Sequence, residues 1–133
     1  MTKEEHIKFW LKAAKHDLNV ADTLFTSGKY DWCLFIAHLA LEKALKALFV
    51  QKNNNKVPPK IHNLVKLAEL SSTKLNEEEQ IFFDEVNDFN LETRYPDYKN
   101  RFYHRCNKDF AKHYFAKIKE SYKWLLSQIE FNK

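Results

Sequence analysis

The sequence predicts an all-α protein, an up-and-down antiparallel bundle of four to five helices. One Gly and three Pro among 133 residues are too few for the many turns of a β-sandwich or a β-barrel. Apolar residues recur at helical spacing, and no run of alternating β-branched residues predicts a strand. At this length we expect one helical domain, residues 1–133.

The first two helices have the clearest pattern. Residues 2–5, Thr-Lys-Glu-Glu, have the form of a capping box, and an amphipathic pattern follows them up to Gly28. A second helix begins near Tyr30 and is apolar almost all round, which predicts a central helix buried by its neighbours. Pro58 and Pro59 require a loop after it, because proline lacks the amide donor and restricts the residue before it.

Three further helices are predicted in the rest of the chain. A short helix fits residues 61–70, and the Ser-Ser-Thr of residues 71–73 closes it. A fourth helix fits residues 76–90, because Asn76 with Glu79 gives another cap signal. The last helix fits residues 107–131, which present a broad apolar face.

Composition limits the class of protein. Apolar residues make up 44% of the chain and charged residues 30%, as in soluble globular proteins. No window approaches the roughly 18 uncharged apolar residues of a membrane span, and the charged N-terminus lacks the apolar region of a signal peptide. We therefore expect a cytoplasmic protein with no membrane partner. Cys33 and Cys106 lack C-x-x-C spacing, so we expect two reduced thiols.

Several kinds of chemistry are excluded or unsupported. A chain with a single Gly has neither of the glycine-rich phosphate-binding loops. No Ser stands in a strand-turn-helix elbow, so a Ser/His/Asp triad is not indicated. No pair among the six histidines has a recognised ligand spacing. We expect neither a metal ion nor another cofactor.

A polar column interrupts the apolar second helix. His38, Glu42 and Lys46 are spaced i, i+4 and i+8, which stacks them on one face. One interpretation is a polar seam that faces a ligand groove or a dimer interface. The more ordinary one is the solvated stripe of a central helix, with a Glu–Lys pair that contributes only a few tenths of a kcal/mol.

Residues 91–105, LETRYPDYKNRFYHR, differ from the rest of the chain. They hold all three arginines, Arg94, Arg101 and Arg105, whereas every other basic residue of the 22 Lys plus Arg is Lys. Residues 91–108 carry five cations and two anions, most of the chain's net charge of +4. Arginine suits two-point contact with phosphate or carboxylate, and the interleaved tyrosines suit base stacking. Alternatively, local ion pairs only fix the loop, and the tyrosines cover the edges of the core.

Several blocks together resemble the HEPN domain, whose name denotes a nucleotide-binding domain of higher eukaryotes and prokaryotes. In order, they are Trp10, Asp17 and Ala21, the Gly-Lys-Tyr-Asp of residues 28–31, the Ala-Leu-Glu-Lys-Ala-Leu-Lys-Ala of residues 40–47, the His-Asn-Leu of residues 62–64, and the Arg-Tyr-Pro-Asp of residues 94–97. The resemblance covers nearly the whole chain. It implies a helical bundle that forms homodimers and pairs with a minimal nucleotidyltransferase in a toxin–antitoxin or stress module.

The resemblance also raises the question of ribonuclease activity. Many HEPN proteins are ribonucleases with an R-x4-6-H motif, whose Arg and His meet across a dimer. Here nine residues separate Arg94 from His104, two separate Arg101 from His104, and seven separate Arg105 from His113. No pair matches, so the chain resembles a branch with Arg-Tyr-Pro, and nuclease activity is not carried over.

Three hypotheses follow. The first is a non-catalytic HEPN protein that binds a nucleotide, RNA phosphate or a nucleotide-loaded partner. The second is a metal-independent ribonuclease with a displaced catalytic pair, Arg101 and His104. The third is a purely structural interaction module. For the first, the expected ligand-binding residues are Arg94, Tyr95, Arg101, His104, His62 and Lys46.

Overall fold

Six helices form a bundle in the computed structural model, which describes residues 1–131. They are α1 (Lys3–Thr26), α2 (Tyr30–Lys52), α3 (Leu64–Leu70), α4 (Glu77–Arg94), α5 (Arg101–Arg105) and α6 (Lys108–Leu126). The all-α class is confirmed, and α5 adds one short helix to the four or five expected. Residues 1–131 contain no strand and no helix long and apolar enough to cross a membrane.

Local signals set the first helix and the turn after it. The capping box is confirmed: Oγ1 of Thr2 accepts from the amide of Glu5, and Oε1 of Glu5 accepts from the amide of Thr2. Gly28 follows the end of α1 with a φ of 76°, a conformation that glycine adopts without steric strain. The three-residue connection reverses the chain and makes α1 and α2 an antiparallel pair.

Helix α2 is the centre of the fold, as its pattern predicts. It contacts each of the other five helices, and apolar residues on most of its circumference are buried. Phenylalanines supply much of the surrounding core, among them Phe83, Phe89 and Phe102. Polar side chains of α2 that face these neighbouring helices are therefore buried.

Two helix boundaries differ from the expected ones because of side-chain contacts. Helix α3 begins at Leu64 rather than at residue 61, and Oδ1 of Asn63 caps it by accepting from the amide of Lys66. Helix α6 ends at Leu126 rather than at residue 131. The buried side chain of Gln51 donates to the carbonyl of Gln128 and accepts from the amide of Glu130, which holds the chain beyond α6 in a non-helical form.

The segment predicted as a loop between α4 and α6 contains helical structure. Helix α4 continues four residues past its expected end and stops at Arg94, because Pro96 disfavours a helical conformation at Tyr95. Asn100 then adopts a φ of 52° and starts α5, which is one turn long. The basic segment is thus a helix end, a proline turn and a short helix, and its side chains point in different directions.

Candidate functional site

The polar column of α2 is buried. His38, Glu42 and Lys46 are 0%, 3% and 7% exposed, so the interpretation as a solvated stripe is wrong. The helices around α2 cover the face that the column occupies. Buried charged groups need partners close by. The contacts of this column extend from the buried Lys46 through Glu42 to the half-exposed side chain of His62.

Glu42 links a buried cation to an exposed imidazole. Its Oε2 lies 2.9 Å from Nζ of Lys46, and its Oε1 lies 2.8 Å from Nδ1 of His62. The ammonium of Lys46 also lies over the ring of Trp10, 5.5 Å from the centroid. The side chain of His62 is half exposed, so this chain of contacts runs from the interior to solvent.

His38 holds the main chain beside the same imidazole. Its Nε2 donates to the carbonyl of His62 at 2.9 Å, and its Nδ1 lies 3.3 Å from the amide nitrogen of Asn90. A neutral ring, with one donor and one acceptor, satisfies both contacts. Burial lowers the pKa of His38 to about 4, so the ring is neutral near pH 7.

Asn87 on α4 fixes the start of α3. Its Oδ1 accepts from the amide of Leu64 at 2.9 Å, and its amide nitrogen donates to Oδ1 of Asn63 at 3.2 Å. Together with the contacts of His62, these bonds join α2, α3 and α4 at one place on the surface. A groove lies at this junction.

The groove, called here the His62 groove, has a volume of about 290 Å³. It is lined by residues from the start of α3 and from the last two turns of α4 with the residue after it: His62, Asn63, Asn87, Asn90, Leu91, Arg94 and Tyr95. Three of the six expected ligand residues, His62, Arg94 and Tyr95, therefore meet in one place.

Arg94 differs from the other two arginines in its contacts. It forms no ion pair with any of residues 1–131, and its guanidinium lies 5.6 Å from the ring centroid of Phe35. A guanidinium has five N–H donors, so most of the hydrogen-bonding capacity of Arg94 is directed to solvent or a ligand. Tyr95 beside it is 70% exposed.

The structure separates the other expected ligand residues from this groove. Lys46 is buried against Glu42 and does not line it. Arg101 and His104 lie on α5 and are exposed. Nε of Arg101 pairs with Oδ2 of Asp97 at 3.0 Å, and the ring of His104 packs on that of Tyr103.

Residues 7–129 match the family model of the HEPN domain. The chain belongs to the HEPN family. Two solved structures have a similar fold.

The crystal structure of TT1696 from Thermus thermophilus is 21% identical in sequence, with a TM-score of 0.77 over 92% of this chain and 98% of that one. The structure of ST0689, described as an archaeal HEPN homologue, is 22% identical, with a TM-score of 0.73 over 93% of this chain and 98% of that one. At these identities the likeness shows the fold alone. No curated protein matches the sequence.

In this HEPN domain the basic segment does not form one cationic surface. Arg101 pairs with Asp97, and Arg105 pairs with Glu92 at 3.2 Å while its guanidinium lies over the ring of Phe110. Arg94 lies apart from both pairs, on the His62 groove. The local excess of positive charge is therefore partly neutralised, and only one of the three arginines is left without a carboxylate partner among residues 1–131.

The asparagines of the groove were missed in the sequence. Asn87, Asn90 and Arg94 are spaced i, i+3 and i+7, which puts them on one face of α4. That spacing is present in the sequence, but it brings the three side chains together only because α4 extends to Arg94, beyond its expected end. No group of three or more His, Cys, Asp or Glu side chains within residues 1–131 could hold a metal ion.

Proposed function

We propose that this HEPN protein is non-catalytic and binds the phosphate of a nucleotide or of RNA in the His62 groove. The observation that carries the proposal is Arg94, an exposed guanidinium without an ion pair among residues 1–131, beside an imidazole and an exposed tyrosine. Of the six residues expected to bind the ligand, it retains the three that line this groove, His62, Arg94 and Tyr95.

The groove offers suitable groups for such a ligand. The fork of Arg94 can donate two parallel hydrogen bonds to a phosphate. Nε2 of His62 makes no hydrogen bond within residues 1–131. Because Nδ1 donates to the carboxylate of Glu42, Nε2 of a neutral ring is an acceptor, which suits a hydroxyl or amino group of the nucleotide rather than its phosphate. The ring of Tyr95 can stack on a base, which favours nucleotides over inorganic phosphate.

Two observations favour binding without cleavage. The Arg–His spacings of the chain do not fit the R-x4-6-H motif of HEPN ribonucleases. The displaced pair, Arg101 and His104, lies on an exposed single turn of helix, where the guanidinium is already paired with Asp97. Catalysis by such a pair needs a positioned acid–base group and a charge stabiliser that face one substrate.

The proposal includes a biological setting that the family resemblance supports. The protein would act in the cytoplasm as a homodimer beside a minimal nucleotidyltransferase of a toxin–antitoxin or stress module. Exposed apolar side chains, including Ile81 and Leu91, are compatible with partner contacts. Light scattering of the purified protein tests the homodimer, and the mass of a single chain would contradict it.

Titration with fluorescent ATP and GTP analogues tests the binding function. We expect saturable binding, weakened by added salt because a phosphate contact is electrostatic. Absence of saturable binding up to millimolar nucleotide would contradict the proposal. Incubation with RNA in EDTA tests the alternative: cleavage that is lost in both Arg101→Ala and His104→Ala would establish a ribonuclease instead.

A further inference from the structure

A second cleft lies on the other side of Tyr95. Its volume is about 370 Å³, and it is formed by the first turn of α2, the end of α4 and the segment through α5. Three exposed aromatic rings line it, those of Trp32, Tyr95 and Tyr103. We call it the Trp32 cleft.

Every charged residue that lines the Trp32 cleft is acidic. The three are Asp31, Glu92 and Asp97. The net charge of this cleft is therefore opposite to that of the surrounding basic segment.

A buried hydroxyl in the lining lacks a partner. Thr93 is 9% exposed, and its Oγ1 makes no hydrogen bond with any of residues 1–131. Buried hydroxyls are normally hydrogen-bonded, because leaving one unpaired costs free energy. Thr93 lines the cleft, but its Oγ1 is itself enclosed by protein, so a ligand in the open cleft does not reach it.

We propose that the Trp32 cleft binds a cationic group, an ammonium carried on an aliphatic chain. Aromatic faces attract such a cation, and the carboxylates of the lining neutralise it. A bound phosphate fits poorly, because Asp31, which makes no ion pair within residues 1–131, would repel it. The site is thus distinct from the His62 groove, and it does not rest on the function proposed for that groove.

Two arginines already contact the rim of the cleft, but they leave it accessible. Arg101 pairs with Asp97 and Arg105 with Glu92, and neither arginine lines the cleft. Such exposed pairs are weak, so an entering ammonium can share their carboxylates. Asp31 makes no ion pair within residues 1–131, and its Oδ1 accepts from the amide of Trp32.

The ammonium can come from a free polyamine or from a lysine side chain. Two probes distinguish these sources: spermidine, and Nα-acetyl-lysine amide. The matched uncharged control is the same lysine amide acetylated at Nζ. The readout is the indole N–H signal of Trp32 in a ¹H–¹⁵N spectrum, with the signals of Trp10 and Trp124 as internal references.

We expect a saturable shift of the Trp32 signal with spermidine or with the lysine amide, and none with the acetylated control. The tighter of the two cations identifies the source. No saturable shift with either cation, or an equal shift with the acetylated control, overturns the proposal. Arg94→Gln should weaken nucleotide binding and leave spermidine binding unchanged, so the two sites can fail separately.

Two variants test the residues. Asp31→Asn should weaken cation binding about fivefold or more, whereas Asp109→Asn, which removes a carboxylate from the first turn of α6, should not. Equal weakening in Asp31→Asn and Asp109→Asn, or unchanged affinity in Asp31→Asn, contradicts the assignment.

Discussion

Nδ1 of His62 lies 2.8 Å from Oε1 of Glu42, a contact between the exposed groove and the buried interior of α2. Glu42 also pairs with Lys46, so one carboxylate orients the groove imidazole and neutralises a buried ammonium. The position of the groove residue therefore depends on the packing of the central helix. This dependence leads to the first prediction.

Glu42→Gln should destabilise the protein by about 3 kcal/mol, because it leaves the ammonium of Lys46 buried without its counter-charge. The free energy of unfolding from urea titration at pH 7 measures the effect. Glu4→Gln is the control, since it breaks an exposed i, i+4 pair with Lys8 on α1 and should cost less than about 0.5 kcal/mol. Similar losses in both variants would contradict the structural role of Glu42.

His38 should make stability depend on pH. Its pKa in the folded protein, about 4, is below the ordinary value of 6.5, so the unfolded chain binds the proton more readily between these values. The stabilisation is complete above pH 6.5 and falls by about 3 kcal/mol as the pH drops towards 4.

Urea unfolding of wild type and His38→Gln at several pH values between 7 and 4 measures this contribution. The stability advantage of the wild type should shrink as the pH falls. His16→Gln, which replaces an exposed histidine of α1, should follow the wild type at every pH. A constant difference between wild type and His38→Gln would show that His38 does not titrate as we infer.

Both cysteines should be unreactive in the native protein. Cys33 and Cys106 are free and buried, and burial raises the pKa of each thiol from 9.0 to about 12. Thiolate is the reactive form, so at pH 8 a disulfide reagent should label neither until urea unfolds the chain. Ser27→Cys, at an exposed position, is the positive control. Labelling of either native thiol at the rate of this control would be inconsistent with the structure.

The cap of α4 should contribute measurably to stability. Oδ1 of Asn76 accepts from the amide of Glu79 at 2.8 Å, and Oε1 of Glu79 accepts from the amide of Asn76 at 2.9 Å. Asn76→Ala should cost about 1 kcal/mol. Asn19→Ala, on an exposed position inside α1, should cost nothing, because alanine favours helix. Thermal or urea unfolding checks both, and equal effects would count against the cap.

The sequence predicted helix starts better than helix ends. The starts of α1 and α4 were predictable because a capping box is a contact between residues three apart. The end of α6 depends on Gln51, 77 residues from its partner Gln128, and no local pattern carries that information. Helix α5 was missed because a single turn is too short for hydrophobic periodicity to register.

The geometry of the candidate site was predictable only in part, for a similar reason. His62, Arg94 and Tyr95 were chosen by residue type and resemblance, and the fold brings them together. Spacing along α2 correctly aligned His38 with Glu42, but it could not distinguish a buried face from a solvated one. The separation of Arg101 from Arg94 follows from the turn at Pro96, whose direction depends on tertiary packing.

We infer that Arg94 in the His62 groove binds a phosphate-bearing ligand. The most direct test compares the affinity of Arg94→Gln and Arg101→Gln for fluorescent ATP with that of the wild type. Losing a guanidinium–phosphate contact of about 1.5–3 kcal/mol should weaken binding by roughly tenfold or more in Arg94→Gln. Arg101→Gln, outside the groove, should bind as the wild type does. Equal binding by Arg94→Gln and the wild type, or the greater loss in Arg101→Gln, would contradict the claim.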